Sequence, residues 1–115
     1  MIVIKRDRHY DKLEKRRGEI LRTLEYLQNE QRMVDENTDW IDRAAYASRC
    51  HLLGSLATWY ANETARINAA LKRITEGRYG VCLGCREPIE AHRLETTPEM
   101  DFCAACQKDR EGLAD

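Results

Sequence analysis

Tyr79-Gly80-Val81-Cys82-Leu83-Gly84-Cys85, followed after seventeen residues by Cys103-Ala104-Ala105-Cys106-Gln107, decides the fold of this chain. Two Cys-x-x-Cys pairs at this separation read as one tetrahedral zinc site with Cys82, Cys85, Cys103 and Cys106 as its ligands. Each pair lets two thiolates of a single turn converge on one ion, and a structural Zn2+ accepts four sulfurs. Such a site is closed. It keeps no position for water or substrate, which argues for a fold staple and against metal-assisted hydrolysis. One such pair alone could equally be a redox dithiol; two at this distance favour the metal.

Outward from the cysteines, Pro88, Thr96, Thr97 and Pro98 break up the intervening segment, leaving space for short strands or turns around Ile89 and Leu94. Ala104 to Gly112 is long enough for one short helix. On the other side, Gly77-Arg78-Tyr79-Gly80 forms a joint. Ahead of it, Arg6 to Val34 contains no proline and one glycine, and Leu13, Ile20, Leu24, Leu27 and Val34 recur at helical intervals once Arg17 and Gln31 are admitted. The expected helix is about 40 Å long at ~1.5 Å per residue. Lys12, Lys15, Arg16, Glu19, Arg22 and Glu30 form its solvated face.

Asp35-Glu36-Asn37-Thr38-Asp39 interrupts the pattern with turn formers and helix caps. A second helix is expected from Thr38 or Asp39 to about Glu76, stopped by Gly77. Its apolar stripe is Leu52, Leu56, Tyr60, Ile67, Ala70 and Ile74, broadened by Leu53, Ala57 and Trp59, with Trp59 and Tyr60 as packing residues. So short a link makes the two helices fold back on each other. The expected fold is mainly α: a long antiparallel helical hairpin with a coiled-coil seam over 1–76, its tip at 35–42, and a four-cysteine zinc-finger module with a C-terminal helix over 77–115.

Composition supports a small metal-dependent core. Of 115 residues 34% are charged and 7% aromatic, so burial alone supplies little, whereas structural zinc contributes about 10–16 kcal/mol of apparent binding energy that is also folding energy. A net charge of -1 provides no general attraction to nucleic acid or to an anionic membrane. No apolar run approaches the roughly 20 residues of a membrane span, and Met1-Ile2-Val3-Ile4-Lys5-Arg6 lacks the apolar segment of a signal peptide. Four zinc thiolates and an unpaired Cys50 suit a reducing compartment, so the expected location is cytoplasmic. No Ser-His-Asp set, phosphate loop or glycine fingerprint is evident, and the chain is not expected to be an enzyme. His9, His51 and His92 lie far apart and are not needed to complete a four-sulfur shell. Cys50 reads as a small buried hydrophobe.

The hairpin tip is the second informative feature. Asp35, Glu36, Asp39 and Asp42 concentrate negative charge there, beside the apolar Trp40 and Ile41. From spacing alone the simpler reading is favoured, with Asp39 as a helix N-cap and Asp42 as a first-turn carboxylate favoured by the helix dipole, each contributing about 0.5–1 kcal/mol.

Asp39-Trp40-Ile41-Asp42-Arg43-Ala44 resembles the D-x-x-D-x-A tip motif of the DksA/TraR family. Tyr79 to Cys85, Ile89, Arg93-Leu94-Glu95, Pro98 and Cys103 to Cys106 resemble its zinc finger, so that the similarity covers roughly residues 35 to 110. The resemblance implies a transcription regulator that binds bacterial RNA polymerase and inserts its hairpin into the secondary channel, the route by which nucleoside triphosphates reach the active site. Asp39, Asp42 and Ala44 would act near the catalytic centre and alter promoter-complex stability, with no sequence-specific contact to DNA.

The family's link to the stringent response runs through the alarmone guanosine tetraphosphate (ppGpp), partly by way of basic residues near the finger. Here Arg66 keeps one such base, while Thr97 and Gln107 stand at two others, so a weakened ppGpp site is expected: each charge-assisted hydrogen bond contributes roughly 1.5–3 kcal/mol. Arg86 follows Cys85 where the family usually has glycine. Readings from other classes are a nucleic-acid-binding zinc module using Arg86, Arg93, Lys108 and Arg110, and a thiol-based redox sensor that releases metal on oxidation.

Overall fold

The computed structural model describes residues 6–37, 39 and 42–113. A π-helical turn, Arg6–Tyr10, leads into α1 (Asp11–Glu36), followed by α2 (Arg43–Thr75), α3 (Ala91–Thr96) and α4 (Ala104–Leu113). No β-strand occurs among the described residues; Val81 and Pro88 make an isolated antiparallel bridge. No helix among them is long and apolar enough to cross a membrane.

The ends of the long helices follow from local chemistry. Asp11 and Glu14 lie at the start of α1, directly after the π-helical turn. At its far end the Asn37 N–H is shared between the Met33 and Val34 carbonyls at 3.2 Å each, and Asn37 Nδ2 donates to Met33 O at 2.7 Å. These bonds occupy carbonyls that the last turn leaves without helical partners.

Helix α2 begins at Arg43, later than the expected Thr38 or Asp39. Asp42 is its N-cap, with Oδ1 accepting the Ala45 N–H at 2.8 Å. Thr38 and Asp39 are equally good caps by residue type, and local pattern does not distinguish them from Asp42. The C-terminus stops as expected at Gly77, whose φ of 74° is left-handed. Gly77 N–H donates to Ile74 O at 3.1 Å and Arg78 N–H to Arg73 O at 2.8 Å, the paired bonds of a Schellman motif.

The chain forms two compact units, one comprising Lys15 and the residues before it with Arg66 and those after it, the other Arg16–Ala65. In the second unit the helices run antiparallel. Arg16 Nη2 meets Glu63 Oε2 at 3.0 Å, Arg49 Nη2 meets Glu30 Oε1 at 2.9 Å, Gln31 Nε2 meets Cys50 Sγ at 3.2 Å and Tyr46 Oη donates to Asp35 Oδ1 at 2.8 Å. The residue numbers in each pair add up to nearly the same value, which is the mark of a constant antiparallel register. Ile20, Leu27 and Leu53 are buried in the seam.

Two expectations are corrected in this unit. The α2 seam runs through Leu53, while Leu52, Leu56 and Trp59 stay 50%, 38% and 56% exposed. Apolar side chains between 52 and 60 fall on two adjacent stripes, and one neighbouring helix covers one of them. Arg16, assigned to the solvated face, instead pairs with the buried Glu63 carboxylate. A buried charge needs such a partner, and Arg supplies it from a stem that stays partly exposed.

The first unit buries Leu13, Ile67, Ala70, Leu71 and Ile74. A second cluster, Cys82, Ile89, Leu94 and Cys103, is flanked by Tyr79, Met100, Phe102 and Cys106. Leu94 lies on α3, where a strand or turn was expected. The prolines bracket this helix instead of preventing it: Thr97, before Pro98, is extended at φ -134°, ψ 86°, and its N–H closes the last turn on Arg93 O at 2.8 Å.

Candidate metal centre

The four sulfurs of Cys82, Cys85, Cys103 and Cys106 all lie within 4.8 Å of one another. Cys85 Sγ and Cys103 Sγ are 3.8 Å apart. A tetrahedron with metal–sulfur bonds of ~2.3 Å has an edge of about 3.8 Å, so the spacing across the two pairs already matches a shared zinc ion. The donor set fits one structural Zn2+ with no position left open, and when bound the metal supplies cohesion to a finger whose apolar core is small.

The first pair is shaped by a narrow loop. Cys82 N–H donates to Glu87 O at 2.8 Å, Arg86 N–H to Cys82 O at 2.9 Å and Ile89 N–H to Gly80 O at 2.8 Å. Arg86 takes φ 68°, a left-handed conformation that favours glycine, so the residue after Cys85 retains the backbone shape despite its side chain. Gly84 N–H donates to Cys82 Sγ at 3.3 Å. A Cβ at Gly84 would come within 3.0 Å of Cys106 Sγ, so the second pair closes over a position that only glycine leaves clear.

The second pair opens α4. Cys106 N–H points at Cys103 Sγ at 3.5 Å, and Ala104 N–H donates to the Glu90 carboxylate at 3.2 and 3.4 Å. Leu83 N–H donates to Asp101 O at 2.9 Å, tying the two loops together. Tyr79 Oη donates to Pro98 O at 2.8 Å, and burial pushes its phenol up to about 12. Arg110 stacks over the Phe102 ring at 4.4 Å. Burial acts to raise the Cys82 thiol, but backbone N–H groups at Cys103, Cys85 and Gly84 outweigh it and bring the thiol to about 6. Backbone donors thus favour the thiolate at Cys82, whereas the Cys106 thiol is pushed up to about 12, chiefly by its side-chain hydrogen bonds with Cys82 and Cys103, so that zinc binding has to displace protons from the cluster.

Elsewhere, Asp39, Asp42 and Ala44 are exposed at the connection between α1 and α2, with the Asp42 carboxylate engaged in capping. The apolar pair Trp40 and Ile41 lies outside the described residues. Cys50 is half-buried and takes a hydrogen bond from Gln31. His92 is exposed and stands apart from the four-sulfur cluster.

Arg66, Thr97 and Gln107 line one cavity of about 400 Å³, together with Arg93, Lys108 and Glu111. Residue by residue, Arg93 and Lys108 read only as general basic residues. Their convergence with Arg66 depends on how α3 and α4 pack, which no local spacing reveals. Gln107 Nε2 donates to Glu111 Oε2 at 3.0 Å, so that the cavity also holds a carboxylate.

Residues 9–74 match the family model described as DnaK suppressor protein-like, N-terminal domain, and residues 77–112 match the prokaryotic dksA/traR C4-type zinc finger. The structure is similar to that of transcription factor DksA2 from Pseudomonas aeruginosa, with a TM-score of 0.82 and 26% identity, covering 96% of this chain and 86% of that one. A protein of Aquifex aeolicus (strain VF5), described as uncharacterized, is 33% identical over 104 residues, which span 87% of this chain and 72% of that relative.

Proposed function

Because the chain belongs to the DksA/TraR family of transcription regulators, we propose that it binds bacterial RNA polymerase and inserts the turn between α1 and α2 into the secondary channel. Asp39 and Asp42, with Ala44, are the residues that would act near the catalytic centre and alter promoter-complex lifetime. The observation that carries this reading is the exposure of both carboxylates at the single turn joining two long paired helices. The zinc ion is structural, the working location is the cytoplasm, and the proposal keeps the division into a hairpin over 1–76 and a finger over 77–115.

Asp42 has two roles in this reading: its Oδ1 starts α2, and its charge faces the polymerase. Asparagine caps a helix about as well as aspartate while removing the charge, so Asp42→Asn separates them. The test is promoter-complex lifetime on purified bacterial RNA polymerase with zinc-loaded wild type and Asp42→Asn. Shortening by the wild type, lost in a variant that still binds polymerase, supports the reading. A wild type that neither binds polymerase nor changes the lifetime overturns it.

The cavity at Arg66 bears on ppGpp. Thr97 and Gln107 remove two cations, whereas Arg93 and Lys108 bring two into the same cavity and Glu111 opposes them. We infer weak binding of this alarmone, tested by isothermal titration of ppGpp into the polymerase complex with wild type and Arg66→Ala. Equal heats from the two proteins would remove Arg66 from the site.

A further inference from the structure

Helix α2 carries a second seam that α1 does not cover. Ser48, Leu52, Ser55, Trp59 and Asn62 follow one another at alternating steps of four and three, the spacing of a coiled-coil stripe, and all five are exposed. The thirteen residues from Cys50 to Asn62 include no Asp, Glu, Lys or Arg, in a chain that is 34% charged. Beside Trp59 runs an open groove of about 580 Å³ bounded by His51, Gly54, Ser55 and Thr58. A Cβ at Gly54 would meet nothing within 4 Å, so the floor of the groove is clear. The Trp59 ring is held edge-on by Tyr60, with centroids 5.0 Å apart and planes at 87°.

We propose that this face of α2 is a self-association surface on which a second copy of the chain packs antiparallel, each copy's Trp59 entering the groove of the other. An interface between identical copies about a twofold axis sets one patch against itself, so any net charge on it meets its like. This band carries none. The patch also supplies both knob and hollow: with the axis near Ser55, Trp59 of one copy comes opposite His51 of the other, at the groove that Gly54 and Ser55 also line, while the small Ser55 side chains let the helices approach at the centre. A partner of different sequence would have no need for this self-matching arrangement. One helical face falls short of the ~800 Å² per partner of a standard interface, so the dimer is weak and reversible. The inference does not depend on polymerase binding.

Sedimentation velocity of the zinc-loaded full chain over a micromolar to submillimolar series tests it. The wild type is expected to move from monomer to dimer with concentration. Ser55→Glu, which sets two carboxylates together at the axis, should weaken dimerisation about tenfold or more. Gly54→Gln, which fills the groove with a better helix former, should do the same while helicity by circular dichroism holds or rises, separating a blocked surface from a damaged fold. Leu21→Gln, an exposed site on α1, should leave dimerisation unchanged. A wild type that stays monomeric throughout overturns the proposal. So do Ser55→Glu or Gly54→Gln proteins that dimerise like wild type, and loss of dimerisation in Leu21→Gln.

Discussion

The Glu90 carboxylate, at the start of α3, accepts the Ala104 N–H that begins α4, at 3.2 and 3.4 Å. A residue in the N-cap position of one helix thus caps another, and the second half of the zinc site is anchored to the segment between the cysteine pairs. Its own backbone N–H and that of Ala104, with Arg93 nearby, hold the Glu90 carboxyl below its ordinary range. A carboxyl depressed on folding stabilises the native state above its unfolded value, and this contribution is lost as pH falls through the folded value. Unfolding of wild type and Glu90→Gln, followed side by side from neutral pH downward, should show a gap in favour of wild type that is steady near neutrality and closes in acid. A gap independent of pH would mean that the charge contributes nothing.

Chelation of zinc, or Cys103→Ser, is expected to disorder the finger while much of the α1–α2 helical signal persists. The finger's hydrophobic cluster has four buried residues, two of them metal ligands, and roughly 10–16 kcal/mol of apparent metal binding is its main source of stability. Hydrogen exchange at the Leu83 and Ile89 amides reads the finger, and far-ultraviolet dichroism the helices. Simultaneous loss of both signals would show that the hairpin depends on the metal.

Two glycines should respond in opposite directions. Gly84→Ala brings a methyl group within 3.0 Å of Cys106 Sγ, and zinc affinity measured by chelator competition should fall about 10- to 100-fold, as for other changes that displace a ligand. Gly54→Ala meets no atom and removes a flexible residue from a helix interior, so it should raise unfolding free energy by up to about 1 kcal/mol.

At the turn, Asp42→Ala removes the Ala45 cap and should cost about 1 kcal/mol in chemical denaturation, whereas Asp42→Asn should be close to neutral. Equal losses from both substitutions would mean that charge near the helix dipole matters more than the hydrogen bond.

The four cysteines were legible because zinc geometry constrains ligand type and spacing together. Leu13, Ile20 and Leu27 were legible because a single helix has one dominant period. Trp59 was misassigned for the same reason in reverse: periodicity identifies apolar stripes without saying which of two neighbours has a covering helix. The Arg16–Glu63 pair lies across 47 positions of sequence, beyond any local pattern. Leu94 reads as turn or strand because Pro88 and Pro98 are local breakers, yet both fall outside the six residues of α3. The Glu90 carboxylate satisfies a donor fourteen residues away, so its capping role depends on tertiary folding.

The constant register between α1 and α2 also limits how this chain can change by insertion and deletion. Arg16 with Glu63, Glu30 with Arg49, Gln31 with Cys50 and Asp35 with Tyr46 form a ladder in which each rung depends on an equal number of residues on either side of the turn. A single residue gained in one helix would rotate everything beyond it by about 100° and break every later rung at once. Matched gains or losses near whole heptads in both arms would preserve the ladder. The reach of the hairpin can therefore drift only in paired steps, and lineages carrying this architecture should differ in arm length by such steps while the turn between the arms varies more freely.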